Sequence, residues 1–239
     1  TSMSLAPHLA LQQWAASFTL FITLFLSTQG QAGMMDEPVV TKWLVDKLEI
    51  TNQKDNPNVW EMDFSAMQGL QKIVLSSEGE HLNGETESEN KLVYSHGFLP
   101  YWDMQLGLGY DTHQQASHNW AIIGVSGMAP YFFETNLHGL LDSDGNMGLR
   151  ASSEAEWLLT QRLILIPEIN ASAYSADIKD MKIGSGLSTV GLGLRLKYEI
   201  KRKFAPYIGV QWNKHFGTTK KYTNLDQDSY FVTGIRFWF

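Results

Sequence analysis

The stretch FVTGIRFWF, residues Phe231–Phe239, alternates between two kinds of side chain up to the last residue of the sequence. Successive side chains of a β-strand point to opposite faces of a sheet, so this period of two predicts a strand. One face carries three phenylalanines, and the other carries Val232, Gly234, Arg236 and Trp238. A final strand this aromatic is typical of bacterial outer-membrane barrels, where it faces lipid and pairs with the first strand.

The composition permits this fold and argues against others. The chain has 239 residues, a net charge of -7 and no cysteine, but 8 Trp, 9 Tyr and 12 Phe. Its length suits one domain. A helical membrane protein needs several apolar runs of about 20 residues, whereas a barrel alternates lipid-facing and polar lumen residues. The acidic balance argues against nucleic acid as a partner, because that partner needs a basic surface.

The N-terminal region has the pattern of a secretory signal peptide. The 13-residue apolar run Trp14–Leu26 is followed by STQGQA, with Gly30 and Ala32 placed for cleavage before Gly33. A run of this length is short for a membrane span. No Lys or Arg precedes it, and an N-terminal membrane anchor is the alternative. The sequence thus predicts a signal peptide, a short periplasmic arm and a barrel: residues 1–32, 33–40 and 41–239.

Alternating segments recur throughout the remainder of the chain. Tyr101–Asp111 places five apolar residues, from Trp102 to Tyr110, on one face and polar or glycine residues on the other. Ser188–Ile200 repeats the pattern with Arg195, Lys197 and Glu199 opposite the apolar face. Charges at spacing two would surround a helix and be buried wherever it packed. On a barrel strand the same charges all point into the lumen, which avoids about 2–4 kcal/mol for a charge in lipid.

We predict an all-β, antiparallel transmembrane β-barrel of twelve strands, with a soluble lipocalin-like or sandwich fold as the alternative. Short and long connections are expected to alternate, with the short turns on the periplasmic side. The facing is ambiguous at Asp46 and Lys47 in the first strand and around His96 in the fourth. The predicted strands are 41–50, 58–67, 70–79, 89–98, 101–111, 118–128, 131–140, 147–158, 162–174, 187–200, 205–215 and 229–239.

Several strings resemble the copper resistance protein B family of Gram-negative outer membranes. They occur in the family's order along residues 35–239: MDEP (Met35–Pro38), SEGE (Ser77–Glu80), GMAPYFFE (Gly127–Glu134), LLTQRLILIP (Leu158–Pro167), IGSGLS (Ile183–Ser188), GLRLKYEIKRKFAPYIGV (Gly193–Val210) and GIRFWF (Gly234–Phe239). The resemblance implies a cell outer-membrane barrel that contacts lipid, takes part in copper resistance or homeostasis, and acts with periplasmic copper-handling proteins. Many family members carry a long Met- and His-rich segment before the barrel, whereas this chain has only Gly33–Asp36 there.

Histidines supply a candidate metal site at the outer mouth, since imidazole is a copper ligand. The candidates are His81, His113, His118, His138 and His215. The competing interpretation is that polar loop residues are simply common at that end, because no two of these histidines have a tight ligand spacing. Thioether sulfur suits Cu(I), so the periplasmic arm supplies a second candidate set: Met34, Met35 and Asp36. The oxidation state of the copper is left open.

Charged residues on the inward faces form the last candidate set. They are Glu61, Asp63, Asp103, Glu134, Arg150, Glu154, Glu156, Glu168, Arg195, Lys197 and Arg236. They either line a selectivity path, in which carboxylates attract cations, or form a structural ion-pair network. The chain has no G-x-S-x-G string, and Ser95–His96 lies at the wrong end for a surface hydrolase. We therefore expect no enzyme, and a general structural or small-solute channel without metal selectivity is the alternative function.

Overall fold

The computed structural model describes residues 37–239 except residues 54, 55, 83, 115 and 224. The predicted signal peptide (1–32) and the candidate ligands Met34, Met35 and Asp36 lie outside the described residues. No helix of the described part of the chain is long and apolar enough to cross a membrane.

Twelve long strands account for most of the described residues. They begin and end close to the predicted positions, and Trp157–Leu158 prolongs β8 beyond Glu156. The strands are β1 Val40–Thr51, β2 Asn58–Gln68, β3 Gln71–Leu82, β4 Glu85–Leu99, β5 Trp102–His113, β6 Ala116–Ala129, β7 Phe133–Leu141, β8 Met147–Ala155, β9 Leu163–Tyr174, β10 Gly186–Tyr198, β11 Phe204–His215 and β12 Gln227–Trp238.

The strands form one closed antiparallel ring. Each strand pairs with its sequence neighbours, and β12 returns to pair with β1 through Thr51 opposite Val232 and Leu44 opposite Trp238. The first and last strands are thereby joined, so the sheet has no free edge. The predicted twelve-stranded antiparallel barrel is confirmed, and the terminal stretch Phe231–Phe239 lies in the strand that closes it.

The connections at one end of the barrel are short, as predicted: residues 69–70, 100–101, 130–132, 159–162 and 199–203. The opposite end was expected to carry only long loops, and this was wrong at two places. β3 continues to Leu82 and β4 begins at Glu85, while β5 continues to His113 and β6 begins at Ala116. Their polar ends, which suggested loops, pair across the hairpins, for example His81 with Thr86. Polar composition indicates a solvated strand end here rather than a loop.

The remaining connections at this end are longer and contain two short helical segments. A 3₁₀ turn, Lys179–Met181, lies between β9 and β10. Helix α1, Gly217–Thr223, lies between β11 and β12 and buries Thr219 against Ser188. These connections occupy residues 52–57, 142–146, 175–185 and 216–226. We call this end of the barrel the mouth.

The barrel has an apolar exterior and a polar interior. On β5, Leu106 is 59% exposed and Leu108 is 66% exposed, whereas the alternate residues Gln105 and Asp111 are buried. In β12, Phe231 is exposed, while Arg236 bonds inward to Asp46. The predicted facing of both segments is therefore correct. An exterior of this kind is stable in lipid and would be poorly soluble in water.

A bulge in β1 explains why the facing of this strand was ambiguous. The register against β2 and β12 shifts between Val45 and Lys47, and this inserts one extra residue. Such a bulge lets two successive residues point to the same face. Asp46 and Lys47 both form ion pairs with interior side chains. The strand then resumes its alternation with Leu48 outward and Glu49 buried.

Candidate functional site

A layer of ion pairs crosses the barrel interior nearer the short turns; we call it the lower layer. Lys47 Nζ lies 2.9 Å from Glu61 Oε2 and 3.0 Å from Glu168 Oε2. Arg195 donates to Glu49 at 2.6 Å and to Glu168 at 2.5 Å. The side chains of Arg195 and Glu49 are 7% and 3% exposed. Because both charges are largely out of water, each depends on its partner.

A further group of ion pairs lies below this layer, at the end of the barrel that carries the short turns. Arg236 Nε lies 2.6 Å from Asp46 Oδ1 in an ion pair. Arg236 also donates to Glu156 at 2.5 Å, and Lys197 donates to the same glutamate at 2.8 Å. A cavity of about 10 Å³ lies beside these residues, which is room for roughly one water molecule. The cavity is lined by Asp46, Lys47, Glu154, Ile166, Arg195, Lys197, Tyr207 and Arg236.

An upper layer, nearer the mouth, is centred on Arg150. This guanidinium donates to Glu89 and Asp111, both at 2.6 Å, and to Tyr174 Oη at 2.9 Å. Trp120 Nε1 donates to the same Asp111 oxygen at 2.8 Å. Trp120 and Tyr174 belong to the buried apolar cluster inside the barrel. The upper layer is therefore a packed, hydrogen-bonded group and not a set of free side chains.

Both layers join walls that are not adjacent. Lys47 is on β1 and Glu168 on β9, and three strands separate these two in the ring. Arg150 is on β8 and Glu89 on β4, again with three strands between them. These side chains consequently cross the lumen, while neighbours such as Lys47 and Glu61 pair along the wall. An inward-facing charge network of this kind can hold the barrel closed and can also place carboxylates in a cation's path.

The predicted lumen charges that form ion pairs are Glu61, Arg150, Glu156, Glu168, Arg195, Lys197 and Arg236. Of the others, Asp103 accepts a hydrogen bond from Ser95 at 3.2 Å. The Asp63 carboxylate accepts a hydrogen bond from the Ser76 side chain. Glu134 and Glu154 lie opposite each other on β7 and β8. Several inward charges that complete the network were not among the predicted lumen charges: Asp46, Lys47, Glu49, Glu78, Glu89, Lys91 and Asp111.

Two of the predicted histidines are fixed inside the barrel by other polar groups. His138 Nε2 lies 2.6 Å from Gln105 Oε1, and His118 Nε2 lies 2.9 Å from Asp142 Oδ2. Desolvation acts to raise the pKa of Asp142, but hydrogen bonds from Asn146, His118 and the loop backbone outweigh it and lower that pKa. Asp142 therefore stays anionic and anchors His118 to the turn that follows β7.

The remaining histidines differ in the face that they occupy. His81 shares the outward face of β3 with exposed Ile73 and lies 2.8 Å from Thr86 Oγ1. His215 is the last residue of β11 and lies on its inward face, where its Nδ1 is 3.2 Å from Thr189 Oγ1. The structure thus distributes the histidines over separate strands and partners. No group of three or more His, Cys, Asp or Glu side chains that could hold a metal ion occurs among the described residues.

One histidine and three carboxylates lie in a row on the inward face of the mouth, although they do not form such a group among the described residues. His113 on β5 is registered opposite Glu87 on β4, and Glu87 is registered opposite Glu80 on β3. His113 Nδ1 lies 3.0 Å from Glu87 Oε2. Glu80 in turn is close enough to Asp228 of β12 for their charges to interact. We call His113, Glu87, Glu80 and Asp228 the mouth row.

His113 is oriented in the manner of a metal-binding histidine. Its side chain is 11% exposed, its Nδ1 faces Glu87, and its Nε2 is buried without a hydrogen-bond partner among the described residues. A carboxylate that accepts from one ring nitrogen fixes the tautomer and leaves the lone pair of the other nitrogen available to a metal. Asp228 likewise has one buried carboxylate oxygen without such a partner, while Gln53 donates to the other at 2.7 Å.

These features define the class of protein: a closed, antiparallel, twelve-stranded transmembrane β-barrel. Two solved structures with this architecture are the KdgM porin (TM-score 0.52, 12% identity, 83% of this chain and 98% of that chain) and the NanC porin (TM-score 0.53, 11% identity, 83% and 99%). At these identities the likeness concerns the fold alone.

The chain belongs to the copper resistance protein B family. The model of that family, described as copper resistance protein B precursor (CopB), matches residues 39–239. Copper resistance protein B of Escherichia coli is 39% identical over 90% of this chain and 74% of its own length. The homolog from Pseudomonas syringae pv. tomato is 32% identical over 85% of this chain and 71% of its own length. The resemblance of the quoted strings is thereby confirmed, and the family agrees with the prediction of a barrel that is not an enzyme.

Proposed function

We propose that this barrel lies in the outer membrane of a Gram-negative bacterium and binds copper ions at its mouth as part of copper resistance. The observation that carries the proposal is the mouth row, in which an oriented imidazole and three carboxylates share one inward face in a member of a copper resistance family. The apolar exterior of the barrel supports its placement in lipid.

The chemistry of the mouth row suits Cu(II). His113 offers Nε2, and Glu87, Glu80 and Asp228 supply the anionic field that draws a divalent cation to the mouth. Carboxylate oxygens are hard ligands, whereas Cu(I) is better held by thioethers. His118, two registered pairs below on β6, is the next imidazole that a copper ion would meet.

Acids outnumber bases on the inward faces, so the cation would remain in a favourable field beyond the mouth. Transfer to a periplasmic copper-handling protein would occur at the short-turn end. Met34, Met35 and Asp36 precede β1 in the sequence, and the two thioethers would suit copper that is already Cu(I). These three residues and the five histidines therefore remain candidate ligands, with His113 the best placed among them.

Calorimetric titration of the detergent-solubilised barrel with Cu(II) tests the mouth row. We expect His113→Ala to weaken binding about tenfold or more, because one lost ligand bond exceeds roughly 1.4 kcal/mol, and His113→Ala with His118→Ala to weaken it further. His96→Ala is the matched control, since His96 is exposed at the opposite end of β4. Equal copper affinity in wild type and the double variant would remove the mouth row as the site.

A deletion strain separates this function from that of a general channel. Loss of the protein should increase copper sensitivity, and plasmid-borne wild type should restore growth where the His113→Ala variant does so only partly. Proteoliposomes loaded with a copper indicator, compared with a zinc indicator, then separate passage from binding. Unchanged copper sensitivity of the deletion strain would favour a structural or small-solute barrel without metal selectivity.

A further inference from the structure

The membrane-facing side of β10, β11 and β12 contains a groove that the copper function does not use. Its walls are the outward residues Leu192, Leu194, Val210, Trp212 and Phe231, and its volume is about 380 Å³. In the strand register, Trp212 lies opposite Leu192 on one side and Ser229 on the other. Ser229 is exposed and small beside these large neighbours. The missing bulk at this position opens the groove.

A cation lies at the mouth-side edge of this groove. Lys214 shares the outward face of β11 with Trp212 and is one step, about 7 Å, closer to the mouth. Its cross-strand neighbours Val190 and Gln227 are uncharged, and Asp226 is close enough for its charge to interact with that of Lys214. Its ammonium lies 5.5 Å from the centroid of the Phe216 ring. Lys214 therefore places a positive charge at the mouth-side edge of an apolar wall.

The segment directly after β11 adds further positive charge. Helix α1 carries Lys220 and Lys221, both exposed. Lys220 is paired with Asp226 at 2.9 Å, whereas the carboxylate of Asp228 is directed to Gln53 in the mouth. Lys214, Lys220 and Lys221 thus set three cations against Asp226 in the segment that follows the groove-lining part of β11, in a chain of net charge -7.

We propose that this surface binds a phosphorylated glycolipid of the outer leaflet, with an acyl chain in the groove and a phosphate at Lys214 and Lys221. Charge complementarity selects this occupant: an anionic amphiphile matches a cation above an apolar groove, and a neutral lipid does not. Lysine binds phosphate as a point charge. The assignment rests on the proposed outer-membrane location, because only then does the mouth end face the leaflet that contains such lipids.

Native mass spectrometry of the detergent-solubilised barrel, titrated with bisphosphorylated lipid A, tests the proposal. We expect one tightly bound lipid, and about tenfold or greater weakening in Lys214→Glu with Lys221→Glu, because charge-assisted bonds to phosphate are replaced by repulsion. Filling the groove with Ser229→Trp should weaken binding without changing any charge. Lys201→Glu, at the short-turn end of the barrel, is the control.

Two outcomes would overturn the assignment: equal affinity for lipid A and its phosphate-free form, or equal affinity in wild type and the double lysine variant. Copper titration of that variant keeps this proposal separate from the proposed function. Its copper affinity should match that of wild type, since neither lysine belongs to the mouth row. A barrel that binds lipid A but no copper would leave the lipid site standing and remove the copper function.

Discussion

Arg195 shows what a single buried charge does in this interior. It holds Glu49 from β1 and Glu168 from β9 at hydrogen-bond distance. Removal of one member of a buried pair leaves the partner uncompensated and is more destabilising than removal of both. Glu168 would keep Lys47 as a second cation, whereas Arg195 is the cation that Glu49 contacts.

We therefore predict that Arg195→Met lowers the free energy of unfolding by about 3–5 kcal/mol. In Arg195→Met with Glu49→Gln, much of this loss should return, because no buried carboxylate is then left without a cation. Urea unfolding of the refolded barrel, followed by tryptophan fluorescence, measures both variants. A single variant as stable as wild type would show that water reaches this layer and screens the charges.

The sequence could reveal a lumen charge only where the strand around it alternates regularly between the two faces. Arg195, Lys197 and Glu168 lie in segments of β9 and β10 that alternate without a register shift, so their inward facing was predictable. Lys47 was missed because the bulge at Asp46 puts two successive charges on one face. Asp111 was placed on the polar face of its strand, but neither it nor Glu89, the first residue of its predicted strand, was named among the lumen charges. Partner choice across the lumen, such as Arg150 with Glu89, depends on ring closure and could not be derived from any one strand.

At the scale of the element, Gly234 lets the closing strand pack against its neighbour. A Cβ atom at this position would lie 2.6 Å from Cζ of Tyr207 and 2.7 Å from the Leu48 carbonyl oxygen. Tyr207 is only 5% exposed and has little room to move. A glycine opposite a large aromatic residue in the adjacent strand is a common device for curving and filling a barrel.

Gly234→Ala should accordingly destabilise the barrel by about 1–3 kcal/mol, as overpacking of a filled interior does. Thr233→Ala, one residue away on the exposed outward face, is the matched control and should change stability by less than about 0.5 kcal/mol. Urea midpoints of the two refolded variants give the comparison. Equal shifts in both would mean that the interior at Tyr207 yields to the added methyl group.

The strands themselves were the most predictable part of the fold. A membrane imposes alternation on each strand, so most of the twelve were visible as a period of two. The first strand around Asp46 and Lys47 and the fourth around His96 were the ambiguous ones. The hairpins at 83–84 and 114–115 were not visible, because beyond the membrane both strand faces are polar and the period disappears. The mouth row belongs to this same region. His113 could be named as a candidate, but its pairing with Glu87 required the hairpin register.

At the scale of the whole molecule, the two charged layers act as barriers in series. Arg150 and Glu89 cross the lumen near the mouth, and Arg195, Lys47 and Glu168 cross it nearer the short turns. An ion that passes one layer still meets the other. The wild-type barrel in a planar bilayer is therefore expected to conduct far less than an open porin.

Conductance of wild type and of layer variants tests this arrangement. Arg150→Ala with Glu89→Ala removes the upper crossing, while Asp111 keeps its hydrogen bond from Trp120. Arg195→Ala with Glu168→Ala removes most of the lower one. Because the barriers are in series, either double variant alone should raise conductance little. All four substitutions together should raise it several-fold. A heat-modifiability gel confirms that each variant is folded. A wild-type barrel that already conducts like an open porin would mean that these side chains leave a continuous water path beside them, and copper could then pass the lumen without displacing any ion pair.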